Sequence, residues 1–335
     1  MAGNDRENLT PPATRAKCLI DKFSLEPPID IQALIENKAE LKWEEWPHEC
    51  DAITILNRSR PLIIAHKSRP FLRQRFTLAH ELGHVELAWH TNNVECNPER
   101  TADASSTSSS LVGAWDQERE ANEFASHLLI PPTWMRKAVE GETFFEMARA
   151  REVLGHLSTA RVSAIAGIIG LARVLLPGHA FFVGSSFAVS RGTAWPGDRP
   201  ITSAARSEYL CGAHATWEIT HQGVEVIWAQ MHAPVEISNH TQGEPREASE
   251  ILRQMILRAY PEDQARTITQ SVNGVVGGLT GDVTRGWTAE AIASVVRDRI
   301  SKNPKLARLV DDIDFPGFLA AKSVEVIRKR QNQRH

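Results

Sequence analysis

His80-Glu81-Leu82-Gly83-His84 is the segment of this chain whose residue types and spacing spell out a reaction. Residues four apart on a helix lie one above the other, so the two imidazoles point at a single ion. Neutral imidazoles at that spacing suit zinc. Glu81 falls ~100° round the helix from His80, where a carboxylate reaches a water molecule rather than the metal. That is the place of a general base in metal-assisted hydrolysis. With 13 histidines among 335 residues, random order supplies roughly 0.03 matches to the pattern. Phe76, Gly83 and Leu87 share the wheel face of the two histidines, so that face points inward. Inward imidazoles need partners, and a metal supplies one.

A catalytic zinc takes three protein ligands and keeps one position open. Two residues compete for the third place. His90 follows His84 by six residues, as in the metzincin spacing, but that pattern turns the chain with a glycine where Leu87 stands. The periodicity extends the helix from Phe71 to Trp89, and a continuing helix carries His90 to the wrong side. The second candidate lies on a helix read over Asp116–Ile130, whose apolar face is Ala121, Phe124, Ala125, Leu128 and Leu129. Glu118 lies ~50° from the centre of that face, Glu120 ~110° away and Glu123 nearly opposite. Glu118 is therefore the carboxylate drawn into burial, where it needs a cation or strong donors. Asn122, one turn further on the same side, is placed to orient a ligand. The plainer alternative leaves Glu118 as a solvated carboxylate at the positive end of the helix dipole.

The flanking chain must position these groups. Asp30 is placed to cap a short helix at Ile31–Ile35. Ala52–Leu56 and Leu62–Ala65 are β-prone runs separated by Asn57-Arg58-Ser59-Arg60-Pro61, which reads as a hairpin. Leu62, Ile63, Ile64 and Ala65 lead straight into the metal helix, and we read them as an edge strand on which an extended substrate pairs. Residues 1–16 read as a flexible polar tail, and the Ser/Thr/Ala tract Thr101–Ser110 as a mobile loop. Helical patterns continue to Leu176 and stop at Pro177-Gly178. Beyond lie strand patterns at Phe181–Val189, Thr216–Thr220 and Val224–Ala229, then helices from Glu247. Trp217 and Trp228 sit at facing hairpin positions and read as packing. The reading is α+β, with a tail at 1–16, one domain at 17–176 and a mixed α/β domain at 177–335 that suits a sensory or partner-recognition role.

Arg75-Phe76-Thr77-Leu78-Ala79-His80-Glu81-Leu82-Gly83-His84 is followed by Glu118-x-x-Ala121-Asn122-x-Phe124-Ala125-x-x-Leu128-Leu129-Ile130-Pro131. In order, spacing and terminal proline this pair resembles the ImmA/IrrE family of metallopeptidases, over roughly residues 17–175. The resemblance implies a compact, gluzincin-like zinc peptidase: a hairpin or small sheet, an HExxH helix and a ligand helix. It implies one Zn2+ per chain held by His80, His84 and Glu118, with Glu81 as base. It further implies a helix-turn-helix repressor or antitoxin-like protein as substrate, cleaved to relieve repression in a phage, mobile-element, defence or stress response. A different class of reading keeps the same groove as a regulatory binding module that holds such a partner without turnover. Residues 180–335 carry no resemblance.

Composition limits the alternatives. Lys and Arg number 38 against 41 Asp and Glu, a net charge of −3. That balance lacks the basic excess of a phosphate-binding surface and argues against direct nucleic-acid binding. Four cysteines stand far apart with no C-x-x-C, which opposes both a disulfide framework and a thiolate zinc site. The remaining histidines, His48, His66, His179, His214, His221, His232 and His240 among them, show no ligand spacing. The polar N-terminus carries no apolar signal core, and the longest greasy run, Ala164–Leu176, is broken by Arg173 and falls short of the ~20 residues that span a bilayer. The expectation is a soluble protein of a reducing cytoplasm, with no membrane partner.

Overall fold

The computed structural model describes residues 9–47, 49–90, 94–96, 109–140, 142, 144–232, 246–277, 279 and 288–332. Two compact units emerge, neither of them one continuous stretch of chain. The first comprises Met1–Glu140, Arg151–Leu171 and His221–Val224; the second comprises Gly141–Ala150, Ala172–Thr220 and Glu225–His335. Residues near Phe145 join the second because its N–H donates to Gln230 Oε1 at 2.9 Å and its carbonyl accepts from Gln230 Nε2 at 3.0 Å.

The first unit opens with α1 (Pro11–Phe23), which corrects the reading of residues 11–16 as tail. Thr10 caps the helix by accepting from the Ala13 N–H, and Pro11 and Pro12 preset its first turn. Its buried face is built from the small residues Ala13 and Ala16 plus Leu19, a stripe too narrow to stand out among charged neighbours. α2 (Ile31–Glu36) starts at Asp30, whose side chain accepts from the Ala33 N–H as expected. Then come β1 (Glu40–Glu44), β2 (Ala52–Ile55), β3 (Leu62–His66), α3 (Phe71–Glu86), β4 (Val94–Cys96) and α4 (Ser109–Leu129). α5 (Pro132–Val139), α6 (Met147–Ser158) and α7 (Ala164–Val174) follow. Of the expected mobile loop, 101–108 lies outside the described residues and Ser109–Ser110 begins α4.

The strands form one sheet in the order β1-β3-β2-β4. The hairpin is present, with Ala52 opposite Ala65 and Ile55 opposite Leu62. The edge assignment is not. Leu62, Ile63, Ile64 and Ala65 have β2 on one side and β1, in parallel register, on the other, so their backbone groups are already paired. β1 was missed because Glu40-Leu41-Lys42-Trp43-Glu44 is charged and largely exposed, which hides any alternation. The edges among the described residues are β1 and β4.

In the second unit β5 (His179–Val183), β6 (Ser186–Val189), β7 (Ala215–His221) and β8 (Val224–Gln230) make a sheet ordered β6-β5-β8-β7. Helices α8 (Ser203–Cys211), α9 (Ala248–Ala259), α10 (Ala265–Gly277), α11 (Ala289–Ser301) and α12 (Phe315–Asn332) complete it. Period-two alternation splits the sheet's aromatics: Phe182, Phe187 and Ile227 pack with Tyr209 of α8. Trp228 meets Phe181, Phe145 and, edge-on at 6.2 Å, Trp217. α9 to α12 bury a separate core around Met255, Val272, Ile292, Val296 and Phe318. No helix among the described residues is long and apolar enough to cross a membrane.

His179 sits fully buried under this aromatic group and accepts from the Trp228 indole N–H at 3.1 Å on Nδ1. Burial, reinforced by His232, pushes its pKa down to about 3. An unfolded chain takes up this proton near pH 6.5, whereas the folded one resists it down to about 3. The residue therefore costs stability as pH falls through that window, by about 1.4 kcal/mol per pH unit. His179→Gln keeps an acceptor for Trp228 but cannot titrate. Thermal unfolding between pH 6.5 and 4 should fall less steeply in the variant; parallel curves would contradict this account.

Candidate metal centre

α3 and α4 cross where α3 has no side chain. A Cβ on Gly83 would meet Phe124 Cδ1 at 3.1 Å and the Ala121 Cα at 3.2 Å, so the glycine permits backbone-close approach. About one turn before that crossing stand His80 on α3 and Glu118 on α4, and immediately after it His84 and Asn122. His80 Nε2 and His84 Nε2 lie 3.1 Å apart. The Glu118 oxygens complete the group, Oε2 at 3.2 Å from His80 Nε2 and Oε1 at 3.3 Å from His84 Nε2. Among the described residues this is the group of His, Cys, Asp or Glu side chains able to hold a metal ion.

The spacing suits zinc. Bonds of ~2.0–2.1 Å at tetrahedral angles place ligand atoms ~3.3 Å apart. The donor chemistry agrees, because Asn122 Oδ1 lies 2.9 Å from His80 Nδ1 and an amide oxygen only accepts. His80 thus carries its proton on Nδ1 and aims the Nε2 lone pair inward. Two imidazoles, 4% and 1% exposed as residues, face a carboxylate in a space where lone pairs would otherwise confront one another. Burial tends to raise the Glu118 carboxyl, but the facing imidazoles, when protonated on Nε2 in an ion's place, outweigh burial and hold the group far below the ordinary range. Glu118 is the carboxylate brought to the histidines, as its place on the helix face required; its side chain is 18% exposed, the remaining access to solvent.

Glu81 is wholly buried and directed to the sheet, where the Thr54 hydroxyl of β2 donates to its Oε2 at 2.5 Å. Its other oxygen, Oε1, has no hydrogen-bond partner among the described residues. Thr54 escaped the sequence reading. The signal available was a polar residue inside the β-prone run Ala52–Leu56, and β2 indeed buries Ala52 and Thr54 while leaving Ile53 and Ile55 half-buried.

The course of the chain after His84 differs from expectation. α3 stops at Glu86 rather than running on to Trp89, because Leu87 is extended (φ −92, ψ 93) and fully buried. A turn closed by His90 N–H to the Leu87 carbonyl, 2.9 Å, brings His90 back against His84. It lies outside the three-residue group: His90 Nδ1 is 2.8 Å from His84 Nδ1, and its Nε2 is 2.9 Å from Glu120 Oε2. Glu120 accepts from the Trp89 indole as well. Burial tends to raise its carboxyl, and these N–H groups lower it overall. His66, by contrast, is a satisfied histidine bonded to the Trp46 carbonyl, while His48 and His240 lie outside the described residues.

Both ends of α3 are tied down by buried carboxylates. Asp51 pairs with Arg69 at 2.8 Å and Arg73 at 2.6 Å; Glu86 pairs with Arg15 of α1 and, at 3.5 Å, Lys38. Arg75 spends its donors on the Arg161 and Ile29 carbonyls.

Two outcomes follow. Glu118→Ala should weaken zinc binding by more than the ~10–100-fold typical of groups behind a ligand, whereas Glu123→Ala should leave it unchanged in equilibrium dialysis. Gly83→Val forces methyl groups onto the Ala121 backbone and should cost about 1–3 kcal/mol in denaturant unfolding, with weaker zinc binding. A neutral Gly83→Val would contradict the close approach of the two helices.

Residues 44–143 match the model of a peptidase family described as the IrrE N-terminal-like domain. That stretch is shorter than the 17–175 over which the motifs were read. No curated protein matches the chain. Over residues 44–143, which hold His80, Glu81, His84 and Glu118, the chain is similar to the ImmA/IrrE family of metallopeptidases.

Proposed function

We propose that this protein is a zinc-dependent endopeptidase that cleaves a helix-turn-helix repressor or antitoxin-like partner and so relieves repression. The observation that carries the reading is the convergence of His80, His84 and Glu118 beside a buried Glu81. Zinc, when bound, supplies a Lewis acid for the scissile carbonyl and for the attacking water. His80, His84 and Glu118 would hold it. Asn122 keeps the His80 proton on Nδ1. Glu81 takes a proton from the attacking water and passes it to the leaving amine, which requires a carboxylate oxygen free to accept; Oε1, without a partner among the described residues, supports that role. Thr54 holds the other oxygen.

An extended segment of the substrate needs a free strand edge near Glu81. β3 has none; among the described residues β4 is the edge strand on that side, paired with β2 through Val94 opposite Thr54, and it takes the substrate-pairing role. The second unit, which offers no comparable ligand group among its described residues, takes the sensory or partner-recognition role.

Glu81→Gln separates an enzyme from a binding module. The amide keeps the shape but cannot accept the proton, so cleavage should fall by ~10²–10⁴ with zinc content unchanged. Repressor length on a gel and a reporter under that repressor give the readout. Undiminished derepression by Glu81→Gln, with the repressor still full length, would establish sequestration instead of proteolysis.

A further inference from the structure

Behind His84 stands a chain of hydrogen bonds whose direction is set by its last member. Glu120 Oε2 lies 2.9 Å from His90 Nε2, and a carboxylate accepts but does not donate. His90 therefore carries its proton on Nε2 and presents a bare Nδ1 to His84 Nδ1, 2.8 Å away. His84 must then donate from Nδ1, which leaves the Nε2 lone pair directed at His80 Nε2 and Glu118 Oε1. One carboxylate thus determines two tautomers in series. The Trp89 indole N–H fixes that carboxylate by donating to the same Oε2.

We propose that Glu120 and His90 are positioning residues that lock His84 in its metal-binding tautomer and set the affinity of the site for zinc. Neither touches the ion. The inference rests on the zinc reading given above. The two ligands are backed unequally: a neutral amide stands behind His80, whereas an imidazole with an anion behind it stands behind His84. An anionic acceptor at the far end of the chain makes Nε2 of His84 the stronger donor, and outer partners of this kind typically change metal affinity 10–100-fold. The turn at Leu87 gives the device its geometry, for without it His90 would not return to His84. His90 is 4% exposed, so water does not take over its role.

The test is zinc affinity of the full chain, measured by competition with a chromophoric chelator. His90→Phe and Glu120→Ala should each lose about 10–100-fold, and Glu120→Gln, which keeps an acceptor oxygen, should lose less. The double variant His90→Phe/Glu120→Ala should bind no more weakly than His90→Phe alone, because Glu120 acts through His90. Long-range 1H–15N spectra of the zinc-free wild type should show His90 protonated on Nε2 and His84 on Nδ1; the Glu120→Ala spectrum should lose that preference, a change that packing alone would not produce. Wild-type affinity in a folded His90→Phe, additive losses in the double variant, or the opposite tautomers would each overturn the proposal. So would complete loss of zinc in His90→Phe equal to that in His80→Ala, which would make His90 a ligand. If His90→Phe fails to fold, the tautomer spectra of wild type and Glu120→Ala decide. A wild-type chain that binds no zinc would instead overturn the metal reading itself.

Discussion

Everything in the first unit turns on how closely α3 and α4 approach at Gly83. Only a residue without Cβ lets the Ala121 backbone come so near, and that separation is what allows side chains from two helices to share one ion. Histidine and glutamate are long enough to span the gap, but not by much. With Nε2 and Oε atoms 3.1–3.3 Å apart, the three residues already stand near the separation that a small tetrahedral cation requires of its ligands, with the fourth position left open. Preorganisation of this kind has an electrostatic cost, since the inward lone pairs repel until a cation arrives.

The rest of the unit resists that repulsion. α3 cannot slide or rotate, because buried Asp51 grips its first turn through Arg69 and Arg73 and buried Glu86 grips its last through Arg15 and Lys38. Buried ion pairs add little net stability, yet removing one partner leaves an uncompensated charge, so they set register strongly. The sheet contributes from the other side. β2 is held between β3 and β4, and its Thr54 donates to Glu81. Side chains outside the metal-binding group thus hold each chemical group from behind: Asn122 for His80, His90 for His84, Thr54 for Glu81.

The second unit follows a different logic. Its sheet and helices bury two apolar cores, and its most perturbed group is a histidine kept neutral by burial and an indole donor. That arrangement is packing chemistry, with a pH-dependent stability as its consequence.

Residue types and helical angles brought His80, His84, Glu118 and Asn122 forward as candidates, because residues on one helix keep fixed angular relations whatever surrounds them. The same reasoning separated Glu118 from Glu120 and Glu123; capping, alternation and turn residues found α2, the hairpin, β7 and β8, whereas the run Phe181–Val189, read as one strand pattern, is split by a turn into β5 and β6. It failed wherever a partner was distant in sequence or the local pattern was weak. β3 looked like an edge because β1, charged and exposed, carries no alternation to reveal it. α1 looked like a tail because its buried stripe is mostly alanine, which earns its burial only against α4. His90 was placed on the wrong side because leucine favours helix locally, whereas burial of Leu87 and the pinned Glu86 end α3 one turn early. Thr54 met Glu81 only through the pairing of strands with helices. Residue types and helical angles therefore determined which groups can do the chemistry; the tertiary structure decided what holds them, because an acceptor, a counter-ion or a strand edge is defined by neighbours that local sequence does not contain.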